Sequence, residues 1–366
     1  MPVFNGEQFI EQAVASILEQ TYKNLELLVI DDGSKDSTQE KITQFNDPRI
    51  RLITNHKNLG IAVSLNKGID ESRGKYIARM DADDISLQDR IKKQCNFMEE
   101  NPQIGILGTG YYGVDKNGER KQTYIYPEDD IEIKWKLLMG PIFPHPTVML
   151  RKKVLVDHKI YYNVKYPATQ DYELWSRLIH YTEGTNLSLP LIEYRHHSES
   201  TSKSDSVIQE KLRLKISAQS LTNLIKTQII SVRQAALFEK VVKYDFESLS
   251  VRELKQGCEL FSLVLKKFYM HPYTSSRSKL KWKCTLLFSL YFHFEKFIRK
   301  NVIIDKAKIN IPSIEFLQLS IIQKSLRCMR VFLKPEQSIY YPPGIIVYSI
   351  QLMERISKST PNLFTR

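Results

Sequence analysis

The first 200 residues alternate short apolar runs with segments of helical periodicity. The segment LELLVI at residues 25–30 is apolar apart from Glu26 and ends at DDGSKDS, which is typical of a buried strand that leads into a turn and a helix. The strand pattern RIRLITN is followed by the helix-period segment IAVSLNKGIDESRG, and KYIARM then leads into DADDIS. This alternation predicts parallel βαβ units with helices on both faces of a sheet.

The predicted strands and helices continue to about residue 200. Ser86 and Asp89 have the spacing of a capping box for the helix LQDRIKKQCNFMEE. IGILGTGYYGV and HPTVMLRK are predicted to be strands, and DYELWSRLIHY is predicted to be an amphipathic helix with Trp175 on its core-facing side. After the polar run HHSESTSKSDS the pattern becomes mostly helical, which predicts a sheet domain at 1–204 and a helical region at 205–366.

The two predicted regions differ in charge. Residues 1–204 carry 26 Lys and Arg against 29 Asp and Glu, whereas residues 205–366 carry 27 against 12. A basic excess confined to one region favours an anionic partner such as lipid, nucleic acid or a phosphate-bearing acceptor, and a solvated helical surface is the alternative. Because the aromatic residues form no recognisable RNA- or DNA-binding module, no nucleic-acid partner is expected.

Cysteine spacing and hydropathy indicate a cytoplasmic location. The four cysteines show no C-x-x-C spacing, so neither a disulfide framework nor a zinc site is predicted. No stretch of about 18 uninterrupted apolar residues occurs, and the opening MPVFNGEQFIEQ lacks the basic and apolar parts of a signal peptide.

Carboxylates are concentrated where the predicted strands end. Those that follow the strands are Asp31, Asp32, Asp81, Asp83 and Asp84. In open α/β sheets, ligands bind beyond the carboxyl ends of the strands. Closely spaced carboxylates suit a hard divalent cation, Mg²⁺ or Mn²⁺, that shares its ligands with substrate phosphates. The residues alone also allow an alternative without a cation. A helix-capping turn would explain the D-x-D of Asp81 and Asp83, and a tight turn would explain Asp31 and Asp32.

The ordered set of segments resembles the family-2 inverting glycosyltransferases, of the bacterial polysaccharide-biosynthesis type. The match runs through MPVFNGEQFIEQAVASILEQTYKNLELLVIDDGSKDST, NLGIAVSLNKGI, GKYIARMDADD, HPTVMLRK, TQDYELWSRL and LIEYRHH, over roughly residues 1–200. The resemblance implies an α/β protein of the GT-A fold, with a Rossmann-like, mostly parallel sheet flanked by helices and a mainly helical C-terminal region.

The resemblance also implies roles for the carboxylates. Asp32 is expected to contact the nucleotide base, Asp81 to lie near the ribose, and Asp83 to ligate a metal on the donor diphosphate. Asp171 in TQDYELW is the expected catalytic base. A base must stay ionised to take the acceptor's proton, and a position at a helix start favours the anion.

Three positively charged or titratable residues complete the expected site. Arg195 and His197, in the R-x-H element, are expected to meet the diphosphate or to close over the donor. His145 either lines the acceptor side or marks the entry of a strand.

The implied reaction is transfer of a sugar, with inversion, to a hydroxyl of a saccharide or lipid-linked acceptor in capsule, O-antigen or exopolysaccharide synthesis. UDP-sugars are the expected donors from their frequency in the family, and Mg²⁺ or Mn²⁺ would stabilise the leaving diphosphate. The alternative is a catalytically silent or truncated GT-A-like scaffold at the membrane, against which Asp83 and Asp171 argue. A dehydrogenase would need G-x-G-x-x-G after the first strand, and a nucleotidyltransferase would need a Gly- and Lys-rich loop.

Two further expectations concern the ends of the chain. Family members carry an apolar strand before the MPVFN block, so the first strand is expected to be shortened or missing. The segment 276–300, SRSKLKWKCTLLFSLYFHFEKFIRK, is apolar with basic flanks, which predicts peripheral docking on the inner face of the cell membrane. The alternative is that Leu286, Leu287, Leu290 and Phe294 pack on the catalytic domain.

Overall fold

The three strands of the first sheet, sheet A, are parallel. The structure, a computed structural model, describes residues 1–196 and 206–270. In spatial order the strands of sheet A are β1 (Pro2–Val3), β2 (Leu27–Asp31) and β3 (Ile50–Thr54). The helices that connect and follow them are α1 (Ile10–Leu18), α2 (Thr38–Thr43) and α3 (Ile61–Glu71). The predicted strand–helix alternation is therefore confirmed in this part of the chain.

Helices cover both faces of sheet A, because β2 has apolar side chains on both faces. Leu27 and Val29 pack with the apolar side of α1. Ile30 points the other way and lies against Gly68 of α3. Successive strand side chains point to opposite faces of a sheet, so a continuous apolar run needs a helix on each face.

The second sheet, sheet B, has mixed pairing. Its strands, in spatial order, are β4 (Tyr76–Ala78), β8 (Met149–Arg151), β6 (Ile104–Val114), β9 (Glu183–Arg195) and β5 (Ile85–Ser86), and β7 (Arg120–Tyr124) pairs with β6. β6 and β9 are parallel, whereas the remaining pairs of this sheet are antiparallel. Parallel pairing is thus less extensive than the strand–helix alternation suggested.

The helices around sheet B and beyond it follow the chain order. They are α4 (Arg90–Glu100), α5 (Asp130–Lys136), α6 (Lys152–Asp157), α7 (Gln170–Leu178), α8 (Ser206–Ile225), α9 (Val232–Val242) and α10 (Val251–Met270). Trp175 of α7 is fully buried, as predicted. The helical pattern predicted after residue 205 is confirmed for residues 206–270, and residues 276–300 lie outside the described part of the chain.

The predicted capping box of α4 was wrong. Ser86 belongs to β5 and pairs with Ile192 of β9. Asp89 is the residue before the helix, but its side chain makes no capping hydrogen bond. Instead, the backbone N–H of Ile91 donates to the side-chain oxygen of Gln20, 3.0 Å away. A residue 71 positions earlier therefore supplies the cap, which a local spacing rule does not detect.

An aromatic cluster joins α5 to the helices that follow residue 206. Trp135 meets Phe238, Phe261 and Phe268 edge-on, with ring centroids 5.4–6.0 Å apart. Offset and edge-to-face ring pairs stabilise a core beyond their area burial. Residues 206–270 are therefore packed on the sheet domain, within a compact unit that spans Met1–Thr274. A domain boundary at 204/205 stays a prediction.

Replacing Phe238 with alanine should destabilise this unit by about 3–5 kcal/mol, because the fully buried ring leaves a cavity beside Trp135. Urea denaturation followed by circular dichroism measures the change. Ile229→Ala is the control, because Ile229 is 86% exposed and its loss should cost less than about 0.5 kcal/mol. Equal effects of the two substitutions would show that the cluster contributes nothing to stability.

Candidate active site

Four of the carboxylates singled out in the sequence line one cleft of about 820 Å³, a volume within the usual range for small-molecule sites. They are Asp32, Asp81, Asp83 and Asp171. The first follows β2, the next two follow β4, and the last lies in the first turn of α7. The structure therefore brings together residues up to 139 positions apart in the sequence.

Asp32 is fixed by the segment between β3 and α3. Its Oδ1 accepts from the side-chain amide of Asn55 at 2.8 Å and from the backbone N–H of Leu59 at 3.0 Å. Its Oδ2 accepts from the backbone N–H of Gly60 at 2.8 Å. An ionised carboxylate has about four acceptor positions, so about one stays open for a ligand.

Asp31, by contrast, has a structural role. It is completely buried and its Oδ1 accepts from the backbone N–H and the hydroxyl of Ser34, while Oδ2 accepts from Gln39. The turn reading of this residue is thus correct. Gly33 makes the turn feasible, because its φ is +80° and a Cβ there would lie 2.8 Å from the backbone of Lys57.

The carboxylates after β4 form a compact cluster. One oxygen atom from each of Asp81, Asp83 and Asp84 lies within 4.8 Å of the others. Asp81 forms an ion pair with the buried guanidinium of Arg79. Asp84 is 1% exposed, and its Oδ1 accepts from the backbone N–H of Arg195 at 2.9 Å. Among the described residues nothing hydrogen-bonds the buried Oδ2 of Asp84.

This cluster fits a divalent cation. Burial, reinforced by the negative charge of Asp83, raises the pKa of Asp81 even though Arg79 opposes the change. Burial and the charges of Asp81 and Asp83 together hold the pKa of Asp84 well above its usual range. Like charges this close disfavour each other's ionised forms. A hard cation bound by carboxylate oxygens offsets that repulsion and gives the unpartnered oxygen a counter-charge.

Arg195 fixes the backbone of the D-x-D turn through hydrogen bonds. Its Nε donates to the backbone carbonyl of Asp83 at 2.9 Å, and its two terminal nitrogens donate to the Lys116 carbonyl at 3.0 Å and to the Gln12 side chain at 3.1 Å. The guanidinium also lies over the ring of Phe9, 4.6 Å from its centroid. Arg195 is 4% exposed, so in this structure it positions the cluster, and a contact with the diphosphate stays a prediction.

Asp171 lies in the first turn of α7, as the sequence predicted. Its Oδ1 accepts from the backbone N–H of Tyr172 at 2.7 Å. Burial nevertheless raises the pKa of Asp171, against the opposing effects of this hydrogen bond and of Arg79. The sequence reveals the helix end, which favours the anion, but not the desolvation that outweighs it. A carboxylate with a raised pKa is a stronger base in its ionised form.

The histidines have different surroundings. His145 is 9% exposed, lines the cleft and shares a 2.9 Å hydrogen bond between its Nε2 and the hydroxyl of Tyr162. Burial and the charge of Arg79 hold the pKa of His145 well below its usual range, so its ring is neutral at neutral pH. His196 is exposed at the rim of the cleft, and His197 lies outside the described residues.

Comparisons with known proteins identify the family of this chain. The model of the family described as "Glycosyl transferase family 2" matches residues 1–158. An uncharacterized glycosyltransferase of Haemophilus influenzae is 34% identical over 256 residues, which are 64% of this chain and 77% of that protein. The chain belongs to glycosyl transferase family 2. The O-antigen biosynthesis glycosyltransferase WbnJ of Escherichia coli is 31% identical over 239 residues, 62% of this chain and 91% of that protein.

The fold of this family 2 glycosyltransferase is also found among solved structures. The crystal structure of S. aureus TarS 1–349 in complex with UDP superposes with a TM-score of 0.50 and 15% identity, covering 93% of this chain and 91% of that one. This similarity supports the GT-A fold. The resemblance seen in the sequence and the fold class that it implied are thus confirmed.

Sequence reasoning missed Arg79 and Tyr162. Arg79 lines the cleft, is 5% exposed and pairs with Asp81. An arginine within the mostly apolar segment YIARM, two residues before a carboxylate cluster, was the available signal. Tyr162 had no local signal, because its hydroxyl reaches His145 through the tertiary packing.

Proposed function

We propose that this family 2 glycosyltransferase moves a sugar, with inversion, from a nucleoside-diphosphate donor to a hydroxyl of a saccharide or lipid-linked acceptor. The observation that carries the proposal is the convergence of Asp32, Asp81, Asp83 and Asp171 on one cleft. The pathway we propose is cell-surface polysaccharide synthesis, and the similarity to a protein named for O-antigen biosynthesis supports it.

The donor site is proposed to lie between sheet A and the D-x-D cluster. Asp32 already accepts three N–H groups and has about one acceptor position left. A base with a ring N–H, such as uracil or guanine, fits that vacancy in donor and acceptor chemistry. UDP-sugars are therefore the first donors to test, followed by GDP-sugars.

The metal is proposed to be Mg²⁺ or Mn²⁺, held by Asp83 with Asp81 beside it. When bound, such an ion supplies positive charge to the diphosphate that leaves. Arg195 keeps the turn in place through the Asp83 carbonyl, and Arg79 offsets part of the cluster's negative charge.

The base is proposed to be Asp171. As the acceptor oxygen forms its bond to the anomeric carbon, the bond from that carbon to the diphosphate oxygen breaks, and the acceptor proton passes to the Asp171 carboxylate. A single displacement of this kind inverts the configuration at the anomeric carbon. His145, neutral and hydrogen-bonded to Tyr162, stays uncharged beside the reaction.

The location is proposed to be the cytoplasmic face of the cell membrane, where a lipid-linked acceptor is presented. Within residues 1–196 and 206–270, no helix is both long and apolar enough to span a bilayer. Docking through residues 276–300 stays a prediction, because that segment lies outside the described residues.

The proposed function predicts metal-dependent binding of a nucleoside diphosphate. UDP, GDP, CDP and ADP are tested separately, with Mn²⁺ or with EDTA, for a rise in the melting temperature. A nucleotide at about 100 times its Kd should stabilise the protein by about 2.7 kcal/mol, and only with the metal. The matching nucleotide-sugars are then tested for hydrolysis. Binding without any turnover would favour the scaffold alternative, and the absence of binding would contradict both readings.

A further inference from the structure

We propose that Tyr111, Tyr126 and Tyr194 form a platform that binds a saccharide ring of the acceptor. This inference rests on the proposed function and adds to it the residues that recognise the acceptor. The three tyrosines are called the tyrosine platform below. All three line the same cleft as Asp83 and Asp171.

Tyr111 is the centre of the platform. It stands on β6, and its ring centroid lies 6.2 Å from that of Tyr126 and 5.2 Å from that of Tyr194. Tyr124 stacks on it at 4.6 Å, with 22° between the ring planes. Because Tyr124 is not part of the cleft lining, it acts as a support that fixes the Tyr111 ring. Aromatic rings stacked in this way form a rigid surface.

The platform is partly exposed and uncharged. Tyr111, Tyr126 and Tyr194 each keep an intermediate exposure and line the cleft, so part of each side chain is accessible from it. Burial raises the pKa of Tyr111 and of Tyr126. Both hydroxyls therefore stay protonated at neutral pH and can donate or accept hydrogen bonds.

A saccharide ring matches this surface. A pyranose has an apolar face of C–H bonds and a rim of hydroxyl groups, and tyrosine pairs an apolar ring with a polar tip. Weak C–H contacts with the ring faces orient the sugar, and the hydroxyls bind its rim. Two χ angles per tyrosine keep the entropy lost on binding low.

The platform's place in the fold favours the acceptor over the nucleotide base. Asp32, which has the open acceptor position, follows β2 in sheet A and is held by residues 55–60. The platform stands on β6 and β9 of sheet B and on the segment after β7. Asp171 enters the cleft from α7. An acceptor on the platform therefore shares the cleft with Asp171, the proposed catalytic base. The nucleobase of the donor occupies the side of the cleft next to sheet A.

The test compares saccharide binding with nucleotide binding in the full chain. A glycan array of bacterial surface oligosaccharides identifies a saccharide that binds the wild-type protein, and titration calorimetry gives its Kd. Tyr126→Ala should raise that Kd at least about tenfold, while the Kd of UDP or GDP with Mn²⁺ changes less than about twofold. Tyr126→Leu keeps an apolar side chain but no ring, and it should show the same loss. Tyr126→Phe keeps the ring, so its affinity for the saccharide should fall less than that of Tyr126→Leu.

Tyr112→Ala is the matched control. Tyr112 is the next residue on β6, it is absent from the cleft lining, and the guanidinium of Arg120 lies 4.0 Å from its ring centroid. This substitution should leave saccharide binding within about twofold.

Three results would overturn the inference: no array binding by the wild-type protein, unchanged saccharide binding in folded Tyr126→Ala and Tyr126→Leu, or loss of nucleotide binding in those variants. Loss of nucleotide binding would show that the platform binds the nucleobase of the donor instead of the acceptor. If the nucleotide with Mn²⁺ fails to bind the wild-type protein, it is the proposed function that fails.

Discussion

Replacing Asp171 with asparagine should lower the turnover number by about 10²-fold or more, while the Kd of the donor nucleotide stays within about twofold. The amide has nearly the shape of the carboxylate but cannot take the acceptor proton at the transition state. Asp171 is not one of the residues that hydrogen-bond Asp32, and it is not a member of the cluster of Asp81, Asp83 and Asp84. A loss confined to turnover is the signature of an interaction made in the transition state.

The pH profile provides an independent measurement of the same assignment. The turnover number should fall as the pH is lowered through the pKa of Asp171, because the protonated carboxyl cannot act as a base. Burial raises that pKa above the ordinary 3.8, so the fall should begin at a higher pH than an exposed aspartate allows. The residual activity of Asp171→Asn should lack this acidic limb.

Asp157→Asn is the control for Asp171→Asn. Asp157 is exposed at the end of α6, where it pairs with Lys153, and its substitution should leave kcat unchanged. If Asp171→Asn weakened donor binding as much as it slowed turnover, Asp171 would have a structural role instead.

Replacing Asp83 with asparagine should nearly abolish transfer and should remove the Mn²⁺-dependent part of nucleotide binding. The amide carries no charge, so the cluster of Asp81, Asp83 and Asp84 loses one of the carboxylates that favour a divalent cation. The loss in metal affinity should exceed the about 10–100-fold that follows removal of a hydrogen-bond partner of a metal ligand. Calorimetry with Mn²⁺ and UDP or GDP measures it.

Asp89→Asn is the matched control for this substitution. Asp89 lies in the next connection, between β5 and α4, where its side chain is 50% exposed and pairs with Thr21 and Lys93. Nucleotide binding and transfer should stay within about twofold of the wild type. Full activity of Asp83→Asn would remove Asp83 from the proposed metal site.

The sequence by itself determined the elements around the site and the residue types within it. The unbroken apolar part of LELLVI, residues 27–30, became β2 because such a run needs cover on both faces, and α1 and α3 supply that cover. Asp32 and Asp81 lie in the cleft because they come within three residues of the ends of β2 and β4, whose carboxyl ends open on it. These features follow from local periodicity, which the order of residues encodes directly.

Only the tertiary structure decided what surrounds those residues. Arg195 donates a hydrogen bond to the Asp83 carbonyl because β9 pairs with β5. This pairing brings residues 112 positions apart into contact. The pKa of Asp171 is raised because folding removes water from the carboxylate, whereas the sequence reveals only the helix end that opposes the change. The tyrosine platform combines β6, β9 and the segment after β7, so no spacing along the chain predicts it. Long-range pairing and desolvation arise only when distant segments pack together, and both are therefore outside the reach of local sequence patterns.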